Sequence, residues 1–94
     1  MYDIKYTSIA KKNLDNIIKQ IALDKKNSAK NYLYKFQEYV SLLKDNPYLG
    51  RECKYKNINE DCRVLIFDKN YLIFYQIKQD FIKILKIKNT KQRI

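Results

Sequence analysis

The chain has no histidine in its 94 residues, one glycine, one proline and two cysteines. Each scarcity removes a class of explanation. Without histidine, the side chain that ordinarily carries protons near neutral pH is missing. Two cysteines alone cannot complete a four-ligand zinc site, and no metal, cofactor or small-molecule ligand is expected. Cys53 and Cys62 have the option of one disulfide, but no signal-peptide pattern precedes them. Two reduced structural thiols in a cytoplasmic protein are therefore expected. The longest unbroken apolar run is five residues, against about 18 for a bilayer-spanning helix, so a soluble chain with no membrane association is expected. No repeat, linker or low-complexity segment divides it, and residues 1–94 read as one domain.

Acidic residues are scarce as well. Ten Asp+Glu stand against 20 Lys+Arg, a formal charge of +10, and all the cations but Arg51, Arg63 and Arg93 are lysines. After Asp80 no acid remains, while Lys83, Lys86, Lys88, Lys91 and Arg93 follow. Such a field favours a polyanion or an acidic protein partner; the plainer reading is a solvated lysine surface. With 46% apolar and 32% charged residues the chain is globular rather than disordered.

What is present is organised around residues 62–88. Cys62–Phe67, Tyr71–Ile77 and Phe81–Lys88 are rich in β-branched and aromatic residues and are separated by Asp68-Lys69-Asn70 and Lys78-Gln79-Asp80. That spacing predicts an antiparallel meander whose middle run is an inner strand. Tyr71, Ile73, Tyr75 and Ile77 share one face, the core face; Leu72 and Phe74 point the other way and are expected to be exposed.

Upstream, Tyr2, Ile4 and Tyr6 alternate with polar residues as a short strand. Thr7 or Ser8 offers a helix N-cap, after which Ala10, Leu14, Ile17, Ile18 and Ile21 share a helical face until Asp24-Lys25-Lys26. Asn27 or Ser28 is expected to cap a second helix with the stripe Ala29, Tyr32, Leu33, Phe36, Val40 and Leu43, ending at Asp45-Asn46-Pro47. Pro47 and Gly50 mark the redirection into the sheet half, and a short irregular strand is expected around Lys54-Tyr55-Lys56. The fold class that follows is α+β: a two-helix hairpin covering one face of a mostly antiparallel four-stranded sheet, in the order β-α-α-β-β-β, the other face open and basic.

Several spacings together resemble the RelE/ParE family of type II toxins: Ile4-x-Tyr6-x-x-x-Ala10, the helix with Leu14 and Ile17, Ala29 in the second helix, and Leu43-x-x-x-Pro47-x-x-Gly50-Arg51. Arg63-x-Leu65, Tyr71-Leu72-Ile73-Phe74-Tyr75 and Ile84-Leu85-Lys86-Ile87-Lys88-Asn89-Thr90-Lys91-Gln92 continue the resemblance over nearly the whole chain. It implies a small basic toxin neutralised by an acidic cognate antitoxin. Members of the family either cleave mRNA on the ribosome (RelE-like) or inhibit DNA gyrase (ParE-like).

The branch is a question of chemistry. Cleaving RNA through its 2′-hydroxyl needs a proton acceptor, a proton donor and cations for the charge developing on phosphorus. The family's nucleases typically carry arginine where Leu72 stands, and several carry histidine where Asn89 stands; neither residue here does that work. A ribonuclease would have to rest on Lys54, Lys56, Arg63 and Lys91, with lysine pKa values lowered to serve as bases. Arg63-x-Leu65 followed by Tyr71–Tyr75 resembles the ParE branch instead. The reading is a ParE-like toxin that binds gyrase through Arg51, Arg63, Lys86, Lys88, Lys91 and Arg93, and its antitoxin through Leu72 and Phe74. The alternatives are the atypical lysine-based mRNA endonuclease acting on the ribosome, and a plain nucleic-acid-binding module. Arg51 has a structural reading, stapling the Pro47–Gly50 turn, and so has Arg63, pairing with Glu60 or Asp61.

Overall fold

A computed structural model describes residues 1–24, 26–53 and 62–90. The elements run β1 (Asp3–Tyr6), α1 (Ser8–Asp24), α2 (Lys26–Ser41), a 3-10 turn (Leu42–Lys44), β2 (Arg51–Glu52), β3 (Arg63–Phe67), β4 (Tyr71–Ile77) and β5 (Phe81–Asn89). The sheet has five strands in the order β1-β5-β4-β3-β2, one more than the four expected. The additional strand, β2, is two residues long and pairs Arg51 with Val64 and Glu52 with Arg63; two residues carry no periodicity to read. The strand expected around Lys54-Tyr55-Lys56 lies outside the described residues. The meander forms as expected, β3–β4 and β4–β5 being antiparallel. β1 pairs in parallel with β5, an arrangement open to it because two helices intervene before the chain returns.

Helix α1 begins where the sequence places its cap. Thr7 Oγ1 accepts the Ala10 N–H at 3.0 Å, filling one of the orphan donors of the first turn. Helix α2 starts at Lys26, one to two residues ahead of the expected cap at Asn27 or Ser28. Helix limits read from capping residues commonly drift by this much.

The core lies between the helices and the inner face of the sheet: Ala10, Phe36, Val40 and Leu43 meet Leu65, Phe67, Ile73, Tyr75, Ile82, Ile84 and Ile87. Each large aliphatic or aromatic side chain buried there contributes about 1.5–3 kcal/mol. Tyr32, Phe36 and Tyr39, spaced four and three apart on α2, all meet the Phe67 ring, with centroids 5.4, 5.3 and 5.4 Å away. The two tyrosine hydroxyls continue past the ring, Tyr39 donating to the Ile66 carbonyl at 2.9 Å and Tyr32 to Asp68 at 3.1 Å. Three aromatic residues thus fasten α2 to β3.

The core isoleucines of β5 sit at 82, 84 and 87, a run that strict alternation cannot bury on one face. A bulge resolves the conflict. Phe74 pairs with Lys86 but Tyr75 pairs with Ile84, leaving Leu85 as the extra residue. The groups freed by the irregularity are taken up by the start of α1: Thr7 Oγ1 donates to the Leu85 carbonyl at 2.8 Å, the Thr7 N–H donates to Ile84 at 3.0 Å, and Asn13 Oδ1 accepts the Ile87 N–H at 3.0 Å. Thr7 therefore serves a helix and a bulge at once. Thr7→Ala is expected to lower stability by about 2 kcal/mol, a cap of about 1 and a hydrogen bond of about 1. Thr7→Ser should lose much less; chemical denaturation of the two variants side by side checks this.

Candidate functional site

The register assigns the outer face of the sheet, away from the helices. It carries Asp3 and Lys5 from β1, Arg51 from β2, Val64 and Ile66 from β3, Leu72, Phe74 and Gln76 from β4, and Phe81, Lys83, Lys86 and Lys88 from β5. Without the Leu85 bulge, Lys83 and Lys86 would fall on opposite faces. With it, three lysines of β5 line one face, and Lys5 stands directly beside Lys83. Asp3 is the one acid the register gives this face among the described strand residues. Like charges at neighbouring positions of adjacent strands cost stability, so the arrangement is not what packing alone would select.

Apolar surface accompanies the cations. Lys5 Nζ sits 4.5 Å from the Phe81 ring centroid and Lys86 Nζ 4.9 Å from that of Phe74, so two lysines lie across aromatic faces. Beside them a groove of about 760 Å³ is lined by Arg51, Cys53, Val64, Leu72 and Phe74 among others. Leu72 is half-buried, but Phe74 is only 2% exposed. This corrects the expectation that Phe74 stands free. Alternation places it on the outer face, where the Lys86 ammonium lies over its ring. Ile66, 37% exposed, offers more open apolar surface than Phe74 does.

The expected site residues divide sharply. Arg51, Lys86 and Lys88 share the outer face, and Leu72 and Phe74 lie among them. Lys54, Lys56, Lys91 and Arg93 fall outside the described residues. Arg63 is committed to structure: Nη1 donates to the Gly50 carbonyl at 2.8 Å, Nη2 lies 3.7 Å from Glu52, and the guanidinium stacks 4.7 Å from the Tyr48 ring centroid. It holds the Pro47–Gly50 turn, the role considered for Arg51. Arg51 instead is exposed in β2. Sequence reading missed Lys5, because nothing local reveals that β1 lies beside β5.

The two positions that bear on phosphoryl chemistry lie together. Leu72 pairs with Lys88, and Tyr71 with Asn89. The Tyr71 phenol is pushed above its ordinary value by burial and by the negative charge of Asp68, so it holds its proton at neutral pH. Burial likewise pushes the Tyr6 phenol up to about 12. Among the described residues no cluster of His, Cys, Asp or Glu could hold a metal ion, and no helix is long and apolar enough to cross a membrane.

A helical hairpin behind a five-stranded sheet whose free face is basic makes this a small α+β domain. The family model for the ParE toxin of the type II toxin–antitoxin system parDE matches residues 4–94, and the chain belongs to that family. Among solved structures, a chain of the chromosomal ParDE system from P. aeruginosa superposes with a TM-score of 0.79 at 22% identity, covering 97% of this chain and 98% of that one. A conserved hypothetical protein of Helicobacter pylori, solved in solution, superposes at 0.59 with 18% identity and 98% coverage of each chain. No curated protein matches by sequence.

Proposed function

We propose that this ParE-family toxin inhibits growth in the cytoplasm by binding a protein target, DNA gyrase, with the outer sheet face as its contact surface, and that an acidic antitoxin neutralises it. The observation that carries the reading is the convergence of Lys5, Lys83, Lys86 and Lys88 with Arg51 on one face beside apolar Val64, Ile66 and Leu72. A cationic surface with an apolar centre suits an acidic, partly apolar partner, which gains steering from the charge and affinity from the burial. A segment of the antitoxin that orders on this surface would use both. Cutting RNA asks for different groups. Leu72 and Asn89 supply neither charge stabilisation nor proton transfer, losses of about 10²–10³ and 10²–10⁴ in rate for a nuclease of this kind.

Controlled expression of the chain tests the mechanism. DNA synthesis is expected to stall and the DNA-damage response to rise while bulk mRNA stays intact, and the purified chain should inhibit gyrase supercoiling. Prompt, codon-positioned mRNA cleavage with replication initially unaffected would reject the gyrase reading in favour of the ribosome-dependent endonuclease. Salt-sensitive nucleic-acid binding without growth inhibition would point to a plain binding module.

A further inference from the structure

The chain's only two cysteines face each other across β2 and β3. The ladder pairs Arg51 with Val64 and Glu52 with Arg63. One step further brings Cys53 opposite Cys62, and the Cys53 N–H donates to the Cys62 carbonyl at 2.8 Å, so the pairing continues through them. Directly opposed residues in an antiparallel ladder stand about 5.5 Å apart at Cα when hydrogen-bonded. That separation lies at the centre of the range a disulfide spans. Alternation sends both side chains to the same face, the one that carries Arg51 and Val64. Both thiols are free, Cys62 is 5% exposed, and half-buried Cys53 lines the outer groove. Burial, then the neighbouring Cys62 thiol, pushes the Cys53 thiol up to about 12, with Lys86 acting in the opposite direction, while the Cys62 thiol itself donates to the Arg63 carbonyl at 3.9 Å. Two thiols that the ladder sets directly opposite each other on one face have the backbone placement that a disulfide needs. The plainer role, two small side chains packing as apolar residues, does not call for them to meet.

We propose that Cys53 and Cys62 are a reversible redox pair, closed to an intramolecular disulfide by a low-molecular-weight disulfide such as oxidised glutathione. The more exposed Cys53 releases its proton to solvent, and its thiolate attacks one sulfur of glutathione disulfide, breaking that S–S bond and releasing one glutathione thiolate. Cys62 then loses its proton and attacks the Cys53 sulfur of the mixed disulfide. The Cys53–Cys62 bond forms and the second glutathione leaves. Two protein thiols are oxidised, and one glutathione disulfide is reduced to two thiols. The raised pKa of Cys53 makes the first attack slow at neutral pH and faster as pH rises, because only the thiolate reacts. The closed ring spans residues 53–62 and ties β2 to β3 beside the groove. It rests on the ladder alone and is independent of the toxin's target.

The test incubates the folded, full-length chain with excess glutathione disulfide, quenches by alkylation and weighs the product under denaturing conditions. The expected product is lighter by two hydrogen atoms, carries neither alkyl group nor glutathione, and returns to the free-thiol mass with dithiothreitol. Its rate of formation should rise about tenfold per pH unit below the Cys53 pKa. The ring should raise the melting temperature by about 10 °C, since it closes a short loop in the unfolded chain. Cys62→Ser should stop at the glutathione adduct on Cys53, and Cys53→Ser should form no ring. The proposal is overturned if both thiols stay open in the folded chain while the urea-unfolded chain closes. It is also overturned if the product is a stable glutathione adduct or an intermolecular dimer, or if the closed ring lowers the melting temperature.

Discussion

Tyr75→Lys is expected to abolish cooperative folding. Tyr75 is fully buried in the core, and an unpaired charge in that position costs several kcal/mol. A domain of this size has only about 5–10 kcal/mol to lose. The hydroxyl has its own task. It donates to the Pro47 carbonyl at 2.7 Å and accepts the Gly50 N–H at 2.8 Å, fixing the Pro47–Gly50 turn against β4. Burial raises the phenol's pKa above its ordinary value, so this donor persists well beyond neutral pH. Tyr75→Phe keeps the ring but leaves a buried N–H unpaired, a loss of about 2 kcal/mol. Gly50 guards the same contact from the other side: a Cβ there would stand 2.7 Å from the Val64 carbonyl oxygen and 2.8 Å from the Tyr75 ring and hydroxyl. Thermal unfolding of the variants ranks them, with the lysine variant showing no transition. A lysine variant that melts like the parent chain would overturn the burial on which the core rests.

Reversing the charge of Lys83, Lys86 and Lys88 together to glutamate is expected to abolish growth inhibition while leaving the fold intact. These lysines are exposed or half-buried on the outer face, and the stacking of Lys86 on Phe74 is worth about 1 kcal/mol at most in such a setting. The cost falls on association instead. Clustered charge of one sign raises encounter rates by about 10–10³, an advantage that salt removes. The variant should therefore bind the target about 100-fold more weakly at low salt, the gap narrowing as salt is raised. The matched control reverses Lys11, Lys12 and Lys19, which are exposed on α1. It changes net charge equally but leaves the outer face untouched, so it should stay toxic. Equal loss from both triples would mean that net charge, not this face, carries the activity. Full activity in the outer-face triple would remove the face from the mechanism.

Local pattern carried much of the architecture. Three strands stand where β-branched and aromatic runs and their polar breaks place them, and α1 begins on the cap that Thr7 offers. Period 2 and period 3.6 are properties of neighbouring residues, so the sequence alone determined the two helices, the strands other than β2, and which face of β4 meets the helices. It also carried the family, because the spacings from Ile4 to Gln92 keep their order along the chain.

Contacts between residues far apart in the chain were decided only by the tertiary structure. β2 exists because Arg51 and Glu52 lie beside β3, and β1 takes the far edge beside β5 because two helices carry the chain away between them. Arg63 rather than Arg51 holds the Pro47–Gly50 turn, since the strand phase aims its guanidinium at the Gly50 carbonyl. Phe74 is buried on a face where alternation alone would leave it open, and Lys86, its cross-strand partner, lies over its ring. The site itself depends on the bulge at Leu85. The isoleucines at 82, 84 and 87 demand the core, Thr7 and Asn13 take up the freed backbone groups, and Lys83, Lys86 and Lys88 emerge together on the other side. The spacing of those isoleucines hints at a change of phase, but the partners that take up the freed backbone groups lie more than seventy positions away.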